Sequence, residues 1–200
     1  LYEALRGSDA LVIGHHGGYA LDQHVPGTAW EALETDVERL AELWSMHGSS
    51  EGWDPADRPL RPPRREAGVM AALRAGLRLG FTAGSDTHSG RPGGSCWEPR
   101  PYWGGLCAVW AEDLSRRGLF AALQARRTYA VAGQRVALEF TVNGSPMGSE
   151  IALADQVEVR VRAWAAVPVT RVEVVRNAAA WQCLECRRGA VDLGFADRLD

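Results

Sequence analysis

The chain has 200 residues, 46% of them hydrophobic, and a formal net charge of −3. That is enough chain to bury a core and too little positive charge for a nucleic-acid footprint. No stretch approaches the ~18 consecutive apolar residues of a membrane helix.

The opening LYEALRGSDALVIGHH has no basic region followed by an apolar run, so it does not read as a signal peptide. It also lacks an initiator Met, which fits a piece of something longer with a cytoplasmic home. Every cationic residue is Arg, a compositional bias of an Ala- and Gly-rich chain before it is a functional signal. Four cysteines are too few for a disulfide framework at this length. Cys96 and Cys107 stand alone. Cys183 and Cys186 form a single Cys-x-x-Cys without a second pair or nearby histidines, an ordinary thiol pair rather than a zinc site.

In chain order, ALVIG (10–14) reads as a short buried strand ending in His15-His16-Gly17-Gly18. Residues 18–38 start irregular and become helix-like through AWEALETDVERL. LAELWSMHGSSEGW can be read as helix, but its ending in His-Gly-Ser-Ser favours a strand with a terminal loop. The Pro- and Arg-rich 54–65 is a surface loop. EAGVMAALRAGLRLG carries apolar residues at helical spacing and stops at Gly80. FTAGSD is a strand, and after the Gly/Pro loop 90–105 so is GGLCAVWA. EDLSRRGLFAALQARRTYA is a helix with acids at its start and arginines at its end, as the helix dipole prefers. Strand–helix alternation predicts an α/β fold, a parallel sheet or βα barrel, over residues 1–133. Residues 134–200 change character. VALEFTVNGSPMGSE alternates and breaks at Asn143-Gly144, a hairpin signal. QVEVRVRAWA and TRVEVVRN alternate again, which predicts a small antiparallel β region.

The candidate chemistry sits at three strand ends: His15/His16, His47 with Glu51, and Asp86 with His88. In a parallel sheet or barrel these ends share the C-terminal edge. Four of the five histidines fall there, His24 being the exception. Asp86 and His88 are two residues apart, so an extended backbone points both side chains the same way. Imidazole nitrogen with carboxylate oxygen suits zinc, manganese or iron; Asp86 as a turn cap is the plainer alternative. Ser45, Ser49 and Ser50 lack a Gly-x-Ser-x-Gly elbow. No phosphate-binding glycine pattern follows a strand into a helix.

The segments LVIGHHGG and GFTAGSDTH resemble the PHP (polymerase and histidinol phosphatase) superfamily. ELWSMHGSSEGW, GGLCAVWAEDLSRRGLFAALQARRTYAVAG and VNGSPMGSE are closer still to a PHP-like branch of unknown function with a β-rich tail. The resemblance implies a distorted βα barrel with divalent metal ions (Mn, Zn or Fe) at its mouth, hydrolysing phosphate esters. His16 matches the family's His-Pro-Gly strand end, with His15 beside it in a supporting place. Asp86 and His88 match the terminal Asp-x-His, as metal ligands and catalytic groups. His47 and Glu51 belong to the branch's own motif and are taken as facing substrate. PHP proteins open with His-x-His, and nothing before His15 supplies it. The chain therefore reads as the C-terminal part of the barrel plus the tail.

The implied reaction is attack of a metal-activated water on phosphorus, with Arg91 or Arg127 holding the substrate phosphate bidentately. Tyr129 and Trp103 are candidates to line the mouth. The expected partner is a small phosphate ester, not a nucleic acid or a membrane. Two alternatives stand beside it: a non-catalytic binding or assembly module, and a metal-dependent hydrolase of a non-phosphate substrate such as an amide.

Overall fold

The structure is a computed structural model that describes residues 1–22, 24–52, 67–90, 104–152 and 154–198. The Pro/Arg-rich loop, the Gly/Pro loop, Cys96, Trp103 and the candidate Arg91 lie outside them. The chain divides into two compact units. One comprises Leu1–Val109 with Thr128–Gly133; the other comprises Trp110–Arg127 with Gln134–Asp200.

In the first unit, a short helix α1 (Tyr2–Leu5) precedes strand β1 (Ile13–Gly14) and a 3-10 turn at Trp30–Ala32. Then come β2 (Leu40–Ser45), β3 (Gly48–Ser49), helix α2 (Val69–Arg74) and β4 (Gly80–Ala83). β2 is the spine. β1 runs parallel to it through Ile13–Leu40 and Gly14–Ala41. β4 runs parallel along its other edge from Leu40–Gly80 to Trp44–Ala83. β3 turns back antiparallel at Trp44–Ser49 and Ser45–Gly48. The core joins Trp30, Ala41, Val69 and Ala72, packed round by Leu43, Leu73 and Phe81. α2 therefore covers the sheet with its Val69/Ala72 face, both residues being essentially inaccessible. The ribbon of β5 (Gly105–Val109) and β6 (Thr128–Ala132) is antiparallel. It approaches the end of β4, where the Gly105 N–H donates to Gly84 O at 2.8 Å.

In the second unit, helix α3 (Arg116–Gln124) is capped by Ser115, whose Oγ accepts from the Gly118 N–H. β7 (Val136–Val142) turns at Asn143-Gly144, both at positive φ, into β8 (Ser145–Pro146). β9 (Gln156–Arg176) and β10 (Ala179–Arg198) form a long hairpin, and the sheet order is β10-β9-β7-β8. In β9 the buried residues are first the odd ones, Val159, Val161 and Ala163, and later the even Val174. The switch falls within a stretch where two register shifts interrupt the ladder: 165–168 lie opposite Gly189 alone, and Thr170 lies opposite Cys186 and Arg187. Pro168, which has no N–H to give the ladder, sits in this interruption. A bulge of this kind exchanges the faces of a strand.

The expected α/β class, with a PHP-type βα barrel through residue 133, is corrected by this architecture. Strand takes 44% of the described residues and helix 13%, there is no closed barrel, and only three helices are present among them. The physical reason lies in the connections. The helix-like AWEALETDVERL yields one 3-10 turn although Trp30, Leu33, Val37 and Leu40 stand at helical spacing: Trp30 and Leu33 pack into the core and Leu40 is taken into β2, so tertiary packing overrides the local pattern. α2 is six residues long. Among the described residues, parallel pairing is confined to β1, β2 and β4, and the strands after them pair antiparallel. The predicted Asn143-Gly144 turn is present, while the two alternating runs predicted as separate strands are one interrupted strand.

Candidate metal centre

Three parallel strands deliver the site. His15 and His16 follow β1, His47 lies in the tight turn between β2 and β3, and Asp86 and His88 follow β4. Because β1 and β4 flank β2 in the same direction, their C-terminal ends open on one edge, the edge where open α/β sheets hold ligands.

Asp86 is the hub. Its side chain is 8% exposed. His16 Nε2 lies 2.6 Å from Oδ2 and His47 Nε2 lies 3.1 Å from the same oxygen. His15 Nε2 and His88 Nε2 each lie 3.3 Å from Oδ1. Two triads with ligand atoms within 4.8 Å of one another share it: His15, His16, Asp86 and His47, Asp86, His88. The His15 and His16 rings stack at 3.6 Å, and His47 meets His16 edge-on at 5.2 Å.

Glu42, in the middle of β2, was not among the sequence candidates. It is buried, and both its oxygens reach His15 Nδ1, at 3.0 and 3.1 Å. The signal for it is a carboxylate inside an apolar strand, LAELWS, a placement that is costly unless the charge is paired. Gly84 makes room for it. A Cβ at residue 84 would stand 2.9 Å from Glu42 Oε2. Gly18 is constrained in the same way, by backbone: a Cβ there would stand 2.8 Å from Ser50 Cα.

The electrostatics follow from this crowding. Hydrogen bonding to Glu42 raises the pKa of His15 against the opposing effect of burial. Burial lowers that of His16 despite its bond to Asp86. Burial resists ionisation of Asp86, but the His16 hydrogen bond and the neighbouring imidazoles outweigh it and hold the carboxyl below its usual range. An ionised Asp86 accepting from a neutral His16 is the consistent state. It leaves His16 Nδ1 buried without a hydrogen-bond partner.

The residues fit a divalent cation. Ligands about 2.0–2.2 Å from one ion stand about 3.0–3.5 Å apart at tetrahedral or octahedral angles. The three Asp86 contacts at 3.1–3.3 Å fall in that range, while the 2.6 Å contact to His16 is a hydrogen-bond length. Imidazole and carboxylate form a donor set for zinc, manganese or iron.

Not every candidate joins it. Glu51 is exposed and belongs to neither triad; its carbonyl receives the Met70 N–H at the start of α2. Ser45 and Ser49 accept from the backbone N–H groups of His47 and Glu51, so they shape the turn. Arg127 belongs to the second unit and lines a pocket there with Trp110, Glu112 and Phe140. Its closest carboxylate contact is Glu112 at 3.9 Å. Tyr129 is on β6. Cys183 Sγ receives a hydrogen bond from Arg171 Nε at 3.2 Å, and Cys186 Sγ lies 3.2 Å from Val169 O. No helix among the described residues is long and apolar enough to cross a membrane.

Comparison with known proteins adds a family without an activity. The family described as "Protein of unknown function (DUF3604)" matches residues 98–169. An uncharacterized protein of Chlamydia muridarum is 27% identical over 164 residues, covering 76% of this chain and 26% of its own length. One from Chlamydia trachomatis is 29% identical with the same coverage. The chain thus spans about a quarter of the length of the curated relatives it matches. No solved structure matches. The chain is similar to these uncharacterized proteins across most of its length and to the DUF3604 family over residues 98–169.

Proposed function

We propose that this chain carries part of the metal centre of a hydrolase, with a phosphate ester as substrate. One observation carries the reading: four imidazole nitrogens lie within 3.3 Å of the two oxygens of one buried carboxylate, at the ends of three parallel strands. The likeness of LVIGHHGG and GFTAGSDTH to PHP motifs supports the chemistry, although the barrel of that superfamily is not present.

His16, Asp86 and His88 hold the cation, with Asp86 common to both triads and each of its oxygens facing one imidazole of each. A divalent cation there supplies Lewis acidity and makes water nucleophilic near neutral pH. The chain's own contribution is placement. His16 is buried and fixed between His15, Tyr19 and His47, so its nitrogen does not move when substrate arrives. Asp86 is desolvated, which strengthens its field inside the cluster. His88, 68% exposed, is the ligand on the side open to incoming substrate.

The test measures bound metal in the full-length protein and compares a phosphomonoester, a phosphodiester and an amide as substrates. Asp86→Ala is expected to lose both metal and turnover. A wild-type protein without stoichiometric metal, or an Asp86→Ala protein with normal turnover, overturns the reading. Turnover of the amide alone moves it to a non-phosphate substrate.

A further inference from the structure

We propose that Glu42 is a positioning residue that fixes the tautomer of His15 and thereby makes His15 a cation ligand. The proposal rests on the cation-binding reading above and adds a residue that sequence motifs do not mark. His15 lies between two carboxylates, with Nδ1 at 3.0 and 3.1 Å from the oxygens of Glu42 and Nε2 at 3.3 Å from Asp86 Oδ1. An ionised carboxylate only accepts, so each nitrogen facing one must carry a proton or meet a cation. When the ring is neutral, a single proton has to choose. Glu42 offers two close oxygens; Asp86 Oδ1 is farther and already faces His88 Nε2. The proton stays on Nδ1. The Nε2 lone pair is then aimed at the space beside Asp86, the geometry of a metal-ligating histidine held by a carboxylate.

Glu42 is built to hold this pose. It is 8% exposed, on the spine strand between the inaccessible Leu40 and Ser45. The His16 N–H lies 3.5 Å from its Oε1. Gly84 leaves a space beside its Oε2 that a Cβ would enter at 2.9 Å. His15 itself keeps half of its side chain exposed. This chain then offers His15, His16 and Asp86 as a complete three-ligand group.

The experiment reads the tautomer directly. Long-range proton–nitrogen correlation spectra are recorded on cation-free, nitrogen-15-labelled full-length protein at alkaline pH, with His15 assigned through its loss in His15→Gln. Zn2+ affinity is measured in parallel by competition with a chromophoric chelator. The expected wild-type result is a neutral His15 with its proton on Nδ1. Glu42→Gln, whose amide can donate to Nδ1, is expected to shift that population and weaken Zn2+ binding about 10–100-fold. Gly84→Ala keeps the carboxylate but pushes it aside, so it is expected to weaken Zn2+ binding less than Glu42→Gln, and it serves if Glu42→Gln does not fold. A wild-type His15 protonated on Nε2, or variants that fold with unchanged Zn2+ affinity, overturns the proposal. A wild-type protein that binds no Zn2+ while His15 is protonated on Nδ1 overturns the cation-binding reading and the ligand role of His15 with it, and leaves Glu42 as the tautomer's determinant.

Discussion

Gly18→Ala tests the packing that holds His16 in place. Gly18 is buried at the end of the His-His-Gly-Gly turn. A Cβ there would stand 2.8 Å from Ser50 Cα, 3.0 Å from Ser50 Cβ and 3.3 Å from Ser50 O. Non-bonded carbons rest at about 3.5–4.0 Å, so something has to move by about 0.7 Å or more. Two of the three atoms are backbone, just after β3, so no side-chain rotation relieves the contact. Overpacking of this kind costs about 1–3 kcal/mol. In a unit of roughly a hundred residues each kcal/mol lowers the thermal midpoint by about 4–8 °C. The displaced loop carries His16, so Zn2+ affinity is expected to fall together with the midpoint. Gly7→Ala is the control for backbone strain. Gly7 has φ +73° with open space around it, so that variant costs about 1–2 kcal/mol and leaves Zn2+ affinity alone. The assays are thermal melts of cation-free protein and chelator competition. A Gly18→Ala protein with wild-type midpoint and affinity would refute the close approach of this loop to Ser50.

Two further outcomes concern protons. Tyr2 Oη donates to Glu38 Oε2 at 2.5 Å, and burial, then that bond, pushes the Tyr2 pKa up to about 12. The folded state therefore favours neutral Tyr2. Its contribution is intact below the ordinary value near 10 and is lost as pH rises toward 12, so Tyr2→Phe should flatten the alkaline fall in stability between those values; a chemical-denaturation series that falls equally in both proteins refutes it. Zn2+ binding must expel protons from the histidines, and His15 holds its proton to higher pH than a free imidazole. Affinity is then expected to fall with decreasing pH from above the ordinary histidine range, and an affinity flat from pH 8 to 5.5 would exclude histidine ligation.

What the sequence could disclose was decided by the range of the interactions. The strand ends at His15/His16, near His47 and at Asp86/His88 were legible because apolar runs stopping in Gly-, Ser- and His-rich turns are local signals. The parallel pairing of β1, β2 and β4 was expected from strand–helix alternation. The barrel did not follow. Its absence depends on AWEALETDVERL failing to sustain a helix and on β3 and β6 turning back antiparallel, and both are settled by tertiary packing rather than by propensity. Glu42 was missed because its partner, His15, lies 27 positions away. A carboxylate in an apolar strand announces a buried charge but not what pairs with it. The interruption of β9 was hidden for the opposite reason: the alternation on each side of 165–168 is regular, and only the change from odd to even residues facing inward reveals it.

The backbone at the cluster argues that its side chains are retained for what they hold. His16 has φ +55° and Asp86 has φ +53°, the left-handed region, which costs a residue with a Cβ roughly 1–2 kcal/mol. Glycine would relieve either position, and the chain already places glycines beside both, at 17, 18 and 84. It keeps His and Asp at the two strained positions instead, and those two side chains meet at 2.6 Å. A hydrogen bond to a charged group returns about 1.5–3 kcal/mol net, comparable to the strain of the pair. Asp86's remaining neighbours are three more imidazole nitrogens, from His15, His47 and His88. The retained His and Asp at two strained positions, and four imidazole nitrogens converging on one carboxylate, are the features on which the proposed cation site rests.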